Sequence, residues 1–115
     1  MQITRVNPGP RMSRAVVHGD TVYLCGHVAK DTNADTEGQT RDVLAQVEAL
    51  LREAGSDKSK VLAATVYMLD IREFNAMNTA WDAWVDPTNP PARTTVEARL
   101  ARPGIRVEIT VTAAR

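Results

Sequence analysis

The sequence predicts an α+β domain in which two helices cover one face of a single β-sheet. Two segments place apolar residues at helical spacing behind a capping signal, and the segments around them are rich in β-branched residues. In chain order the elements are ββαβαββ, and the weak alternation of residues 2–6 predicts a short leading strand. Because 115 residues is a usual length for one domain, we expect residues 1–115 to form a single domain.

A β-hairpin is expected directly after the leading strand. Residues 15–18 and 22–25 are apolar runs that flank Gly19-Asp20, a pair that suits a tight two-residue turn. Residues 31–35 are polar and predict a loop before the first helix.

Both predicted helices begin at capping signals. Thr36-x-x-Gln39 has the spacing of a capping box and opens the first helix, which Gly55 ends. Asp70-x-x-Glu73 opens the second helix, and prolines at positions 87, 90 and 91 prevent its continuation. We expect the apolar stripes of both helices to pack in the core; they consist of Val43, Val47, Leu50, Leu51 and Ala54, and of Phe74, Met77, Trp81, Trp84 and Val85.

Three further strands complete the predicted sheet, at residues 61–69, 93–99 and 106–113. In the last strand the apolar residues 107, 109 and 111 share one face, which should lie under the helices. In the strand before it, Val96 and Ala98 should take this buried position. The residues of these two strands expected on the other face are Arg93, Thr95, Glu97, Glu108, Thr110 and Thr112.

The face of the sheet away from the helices has mixed polarity. The hairpin adds to it either Tyr23, Cys25 and His27 or Val22, Leu24 and Gly26, and the strand at 61–69 adds Ala63, Thr65 and Tyr67. Such a face is too apolar for a solvated surface and too polar for a sealed core. We therefore expect it to be an interface between copies of the chain.

Composition excludes several classes of function. The 14 Lys and Arg residues balance 14 Asp and Glu residues, so the chain lacks the basic excess of a nucleic-acid or membrane-surface binder. Its five aromatic residues are not interleaved with cations, as a base-stacking sheet requires. One cysteine cannot form an internal disulfide, and we find no secretory signal and no apolar run of roughly 18 residues. We expect a cytoplasmic protein.

Arg93 and Glu108 are the strongest candidates for chemistry. Arg93 follows the stiff segment Asn89-Pro90-Pro91-Ala92, a mounting that suits bidentate capture of a carboxylate or phosphate. A surface arginine, or one paired with Glu97 or Glu108, is the alternative. Glu108 stands between two apolar strand residues, where a carboxylate needs a partner or a wet pocket. It suits either proton transfer or an interface salt bridge.

The segment around Gly26 carries weaker signals. Glycine in mid-strand predicts a bulge or the close approach of a ligand to the backbone. Cys25 and His27, two residues apart on one strand, cannot complete a zinc site, so Cys25 is expected in the core. His18 is expected to be an exposed turn residue. We predict no metal site, and no phosphate loop or catalytic serine motif is present.

Residues 91–97 (PARTTVE), followed by 106–109 (RVEI), resemble the signature of the RidA/YjgF family of reactive-intermediate deaminases. Residues 22–28 are similar to the strand of that family that ends in a ligand-contacting glycine, and the resemblance extends over roughly residues 9–114. It implies a chorismate-mutase-like fold with a single mixed sheet, assembled as a homotrimer with ligand clefts between subunits. It also implies hydrolysis of 2-imino acids, the tautomers of enamines such as 2-aminoacrylate, to 2-oxo acids and ammonia without a cofactor.

The resemblance assigns roles residue by residue. Arg93 matches the family's carboxylate-binding arginine, Glu108 the glutamate that positions or activates water, and Gly26 the backbone donor to the substrate. The family's G-P-Y-S lead-in carries one extra residue here, so Met12 or Arg11 stands in place of the tyrosine. A cysteine often found two residues after the arginine is Thr95.

These departures imply a divergent subgroup with retained chemistry, in which Met12 and Thr95 join the substrate-binding residues. Two alternatives remain within the resemblance. One is a catabolic relative that acts on an aminoacrylate- or aminomuconate-type compound. The other is a non-catalytic trimer that binds small carboxylates or acts like a chaperone. A ribonuclease has little support from a neutral chain.

Overall fold

The computed structural model describes all 115 residues, which form seven strands and two α-helices. The strands are β1 (Ile3–Pro8), β2 (Ser13–His18), β3 (Thr21–Leu24), β4 (His27–Val28), β5 (Val61–Met68), β6 (Ala92–Glu97) and β7 (Val107–Ala114). The helices are α1 (Thr36–Glu53) and α2 (Phe74–Trp84), and short 3-10 helices precede β5 at Lys58–Lys60 and α2 at Ile71–Glu73. The predicted order of elements, including the leading strand and the hairpin, is confirmed.

The strands form one mixed sheet in the order β1-β2-β3-β7-β5-β6, and β4 also pairs with β7. All pairs are antiparallel except β5 and β6, which run parallel and are connected by α2. The core lies between the helices and one face of this sheet, where Val107, Ile109 and Val111 of β7 meet the buried stripe of α1. Neither helix has the length and apolar content to cross a membrane.

The residues that cap the helices differ from those predicted. Asp35 caps α1, since its Oδ1 accepts a hydrogen bond from the Gly38 N–H at 2.8 Å. Gln39 is instead fully buried and ties the helix to the loop before β7. Its Nε2 donates to the Gly104 carbonyl at 2.8 Å, and its Oε1 accepts from the Arg106 N–H at 2.9 Å. Asp70 caps the 3-10 helix rather than α2 itself.

Strand β6 presents the opposite face from the one predicted. Its Arg93 is in register with Ala64, and its Thr95 with Val66, both of which are buried under the helices. Arg93 and Thr95 therefore face the helices, while Val96 lies on the open face and is 39% exposed. The prediction was wrong because β6 is the edge strand, whose helix-facing side is only half covered and tolerates polar groups. Polarity is a weak guide to the buried face at such an edge.

A β-bulge interrupts the sheet between β3 and β4. Tyr23 is opposite Thr112 and His27 is opposite Ile109, so three residues on one side face two residues on β7. The extra residue changes which side chains point inward: Leu24 and His27, three residues apart, are both buried. Neither predicted alternation of this segment holds throughout, but the bulge that mid-strand Gly26 predicted is confirmed.

Candidate functional site

Glu108 lies at the centre of the open face. In β7 it stands opposite Val28 of β4 and Tyr67 of β5. Its side chain is half-buried and takes part in none of the ion pairs of the chain. The carboxylate lies directly against the backbone of Gly26, because a Cβ built on that glycine would be 2.1 Å from Oε2. A carboxylate without a protein partner in this position is free to hold water or a proton.

The bulge adds a backbone donor beside this carboxylate. The Gly26 N–H makes no hydrogen bond to another backbone group of the chain. The Cys25 N–H, one residue earlier, donates to the Arg14 carbonyl at 2.9 Å and so continues the pairing of β2 with β3. This continuation brings Met12, which is 53% exposed, to the same end of the sheet as Gly26. Met12, Gly26 and Glu108 therefore lie near the same end of the strands on the open face, with Glu108 on the central strand β7.

Arg93 lies on the other face of the sheet, against one side of α2. Its Nη1 donates to Asn78 Oδ1 at 2.8 Å, and its guanidinium carbon is 5.0 Å from the ring centre of Trp81 and 5.7 Å from that of Phe74. These distances are those of cation–π contacts. Burial lowers the pKa of Arg93, and nearby Asp82 opposes this effect, but an arginine stays protonated at neutral pH.

The charge of Arg93 is not neutralised within the chain. No carboxylate lies within ion-pair distance, and the Glu97 carboxylate instead accepts from the Ile71 N–H at 3.0 Å. The sequence-based alternative of a pair with Glu97 or Glu108 is therefore wrong for the single chain. Nη1 donates to Asn78 Oδ1 and, at 3.8 Å, to Met77 Sδ, so three of the five N–H donors of the fork are left for an anion. Half-buried Thr95 lies two residues along on the same side.

The two strongest candidates are not brought together in one chain. Tyr67 of β5 pairs with Glu108 of β7 on one side and with Val96 of β6 on the other. Arg93 is therefore two strands away from Glu108 and three residues before Val96, the residue of β6 that is level with it. At the usual strand spacing and rise, the two Cα atoms are about 14 Å apart, and their side chains point to opposite faces. One small molecule cannot reach both groups of the same chain.

Asn78 was not predicted to belong to the site, and Phe74 and Trp81 were expected only to pack in the core. Trp81 is buried as predicted, but Phe74 is 39% exposed, and both rings also hold the guanidinium of Arg93. The available signal was the spacing of residues 74, 78 and 81, which places a polar amide on an aromatic stripe of α2. The partner of such an amide in the next strand is set by the tertiary fold.

Cys25 and His27 flank Gly26 at the bulge, with the Cys25 Sγ 3.9 Å from His27 Nδ1. His27 is 2% exposed, and its Nδ1 donates to the Cys25 carbonyl at 2.9 Å, which leaves the buried Nε2 without a partner. Burial lowers the pKa of His27, and it raises the pKa of the Cys25 thiol. Cys25 was expected in the core but is only partly buried, because the bulge turns it outward. No cluster of His, Cys, Asp and Glu could hold a metal ion.

Buried His27 predicts acid sensitivity. Its pKa is lower in the folded chain than the ordinary value of 6.5, so the unfolded chain takes up the proton first as the pH falls. We expect the free energy of unfolding to decrease as the pH drops below about 6.5. Denaturant titrations between pH 7.5 and 5.5 should show a smaller decrease for H27Q than for wild type. The matched control is H18Q, since His18 is exposed as predicted, although it is the last residue of β2 rather than part of the turn; an unchanged slope in H27Q would contradict the assignment.

Comparison with known proteins decides the family. A protein-family model described as Endoribonuclease L-PSP matches residues 2–115. The RutC family protein YoaB of Escherichia coli is 44% identical over 114 residues, which are 99% of each chain. A RutC family protein of Haemophilus ducreyi is 41% identical over 112 residues, covering 97% of this chain and 96% of that one. The chain belongs to the RidA/YjgF family.

Solved structures of RidA/YjgF proteins have the same architecture. A YjgF family member from Neisseria meningitidis superposes with a TM-score of 0.97 at 45% identity, covering 100% of this chain and 96% of that chain. A family member from Mycobacterium tuberculosis superposes with a TM-score of 0.89 at 28% identity. The fold implied by the resemblance, one mixed sheet with two helices on one face, is confirmed.

Proposed function

We propose that this RidA/YjgF protein is a deaminase that hydrolyses reactive 2-imino acids, such as 2-iminopropanoate derived from 2-aminoacrylate, to 2-oxo acids and ammonia. The observation that carries the proposal is a pair of unneutralised charges, the guanidinium of Arg93 and the carboxylate of Glu108. A 2-imino acid needs both: a cation for its fixed carboxylate, and a base beside its C=N carbon.

Arg93 binds the substrate carboxylate in this proposal. The planar fork matches the two oxygens, and Asn78, Trp81 and Phe74 hold its orientation before the substrate arrives. Partial burial strengthens the pair because less water competes for the guanidinium. Thr95 follows on the same side of β6, where its hydroxyl can hold a water or the substrate.

Glu108 positions water and accepts its proton. The water oxygen attacks the imine carbon, and the proton passes through the carboxylate to the nitrogen. The resulting tetrahedral carbon carries a hydroxyl and an amino group; the carboxylate then moves the hydroxyl proton to the nitrogen, the C–N bond breaks, ammonia leaves, and the carbon becomes the carbonyl carbon of the 2-oxo acid. The unpaired Gly26 N–H donates a hydrogen bond to the substrate, and Met12 lines its variable end. The reaction requires no cofactor, because water and these groups supply every atom and proton.

The separation of Arg93 and Glu108 leads to a composite site. We propose a homotrimer in which Arg93 of one copy and Glu108 of a neighbouring copy meet across each interface. The open face supports this assembly, since it exposes the large side chains of Tyr23, Leu62 and Val96 at 49%, 54% and 39%. We further propose a cytoplasmic location, supported by the single thiol of Cys25.

The function is tested by release of ammonia and 2-oxo acid from freshly generated 2-iminopropanoate. Wild type should exceed the spontaneous hydrolysis rate in proportion to enzyme concentration, and a panel of imino acids with other side chains should rank its preference. A compound of the aminomuconate type preferred over all of them would indicate the catabolic relative. Binding of 2-oxo acids without turnover of any imine would contradict the proposal and favour a carboxylate-binding trimer.

A further inference from the structure

We infer that Gly26 is a positioning residue for Glu108: the missing side chain at position 26 creates the place where the catalytic carboxylate lies. This goes beyond the donor role of the Gly26 N–H, and its catalytic consequence rests on the proposed function. The geometry itself is independent of that function. A Cβ at position 26 would be 2.1 Å from Oε2, 3.0 Å from Cδ and 3.2 Å from Cγ of Glu108.

The backbone around Gly26 explains why this glycine is not needed for a turn. Its φ is not in the left-handed region, in contrast to those of Gly19, Gly55 and Gly104. An alanine can therefore adopt the backbone conformation without strain. The requirement for glycine at the bulge is the space above its Cα, and the group that fills this space is the carboxylate of Glu108.

Any side chain at this position must move the carboxylate. Ordinary contact begins at 3.4 Å, so the Glu108 oxygen has to retreat by about 1.3 Å from its 2.1 Å position. The atoms that clash most are at the flexible end of the glutamate, so the chain can fold with that side chain rotated away. A base displaced by about 1 Å from the attacking water loses much of its effect. Position 26 thus controls the catalytic step more than the stability of the fold.

The test is a double-mutant cycle between Gly26→Ala and Glu108→Gln. We expect G26A to lower kcat about 100-fold with KM and 2-oxo acid affinity within about threefold of wild type. In the E108Q background the same substitution should lower the residual rate by less than about twofold, because the carboxylate is already gone. The matched control is G9A, whose added Cβ would lie at an ordinary 3.6 Å from the Met12 carbonyl oxygen.

Two results would overturn the inference, because Gly26 would then act on the substrate itself. One is a double variant whose loss of kcat is the product of the losses in G26A and E108Q, and the other is a G26A variant that changes only KM. A crystal structure of G26A gives a readout that does not depend on activity. The carboxylate should be displaced by 1 Å or more, about the amount the added Cβ requires. A carboxylate that keeps its wild-type position would also overturn the inference. If wild type hydrolyses no imino acid, the proposed function fails, and the crystal structure still decides the placement of Glu108.

Discussion

Arg93→Ala is expected to lower kcat/KM for 2-iminopropanoate about 1000-fold, which corresponds to a loss of about 4 kcal/mol of transition-state stabilisation. Alanine removes the only cation that we place on the substrate carboxylate, together with the bidentate geometry that fixes the imine carbon. The measurement is initial-rate kinetics on freshly generated imine, with oligomeric state verified by analytical ultracentrifugation.

Two further substitutions test whether the loss of activity is specific to the guanidinium of Arg93. R93K keeps the charge but loses the planar fork, so its loss should be intermediate, about 10- to 100-fold. R99A removes an exposed arginine beyond the end of β6 and should retain wild-type kinetics. An R93A variant that assembles normally and keeps more than about a tenth of wild-type kcat/KM would contradict the role of Arg93.

Glu108→Gln is expected to lower kcat about 100- to 10,000-fold, the range that general acid–base groups contribute. Glutamine has the shape of the glutamate but cannot accept the proton of the attacking water. KM and the affinity for 2-oxo acids should stay within about threefold of wild type, because Arg93, which we propose binds the carboxylate, is unchanged in this variant. Calorimetric titration with pyruvate therefore separates the two variants: R93A should lose binding, and E108Q should retain it.

The exposed carboxylate of Glu97 provides the matched control for Glu108. It is on the edge strand, and its carboxylate accepts from the Ile71 N–H. E97Q should change kcat by less than about threefold, since this group is not on the proposed reaction path. Retention of wild-type kcat by E108Q, or a loss of equal size in E97Q, would contradict the assignment of the base.

Most of the fold could be predicted from the sequence because its elements carry strong local signals. Two capped apolar stripes gave the helices, Gly19-Asp20 gave the hairpin turn, and alternation in β7 gave the buried face of the central strand. Alternation failed at β6, where Arg93 points toward α2, because an edge strand does not bury either face fully. Gly26 predicted the bulge, but the bulge also turns the side chain of His27 into the core. That change could not be predicted without knowing that β4 pairs with β7.

The candidate site was only partly readable for a similar reason. Arg93 and Glu108 stood out by position in their strands, yet their distance depends on the strand order of the sheet, and their opposite facing depends on the register of β6 and β7 against β5. The hydrogen bond from Arg93 to Asn78 depends on how α2 packs beside β6, and no sequence pattern predicts that these two residues meet. The carboxylate of Glu108 against Gly26 likewise arises from the pairing of β4 with β7.

Complementation between R93A and E108Q tests most directly whether each site takes its two charges from different copies. The inactive variants are mixed in equal amounts, unfolded and reassembled, and assayed with 2-iminopropanoate. If each site combines Arg93 of one copy with Glu108 of the next around a closed trimer, random mixing restores about a quarter of wild-type activity, because one site in every mixed trimer is intact. If the mixed trimers form and remain as inactive as either parent, both charges come from one chain and the composite site is wrong.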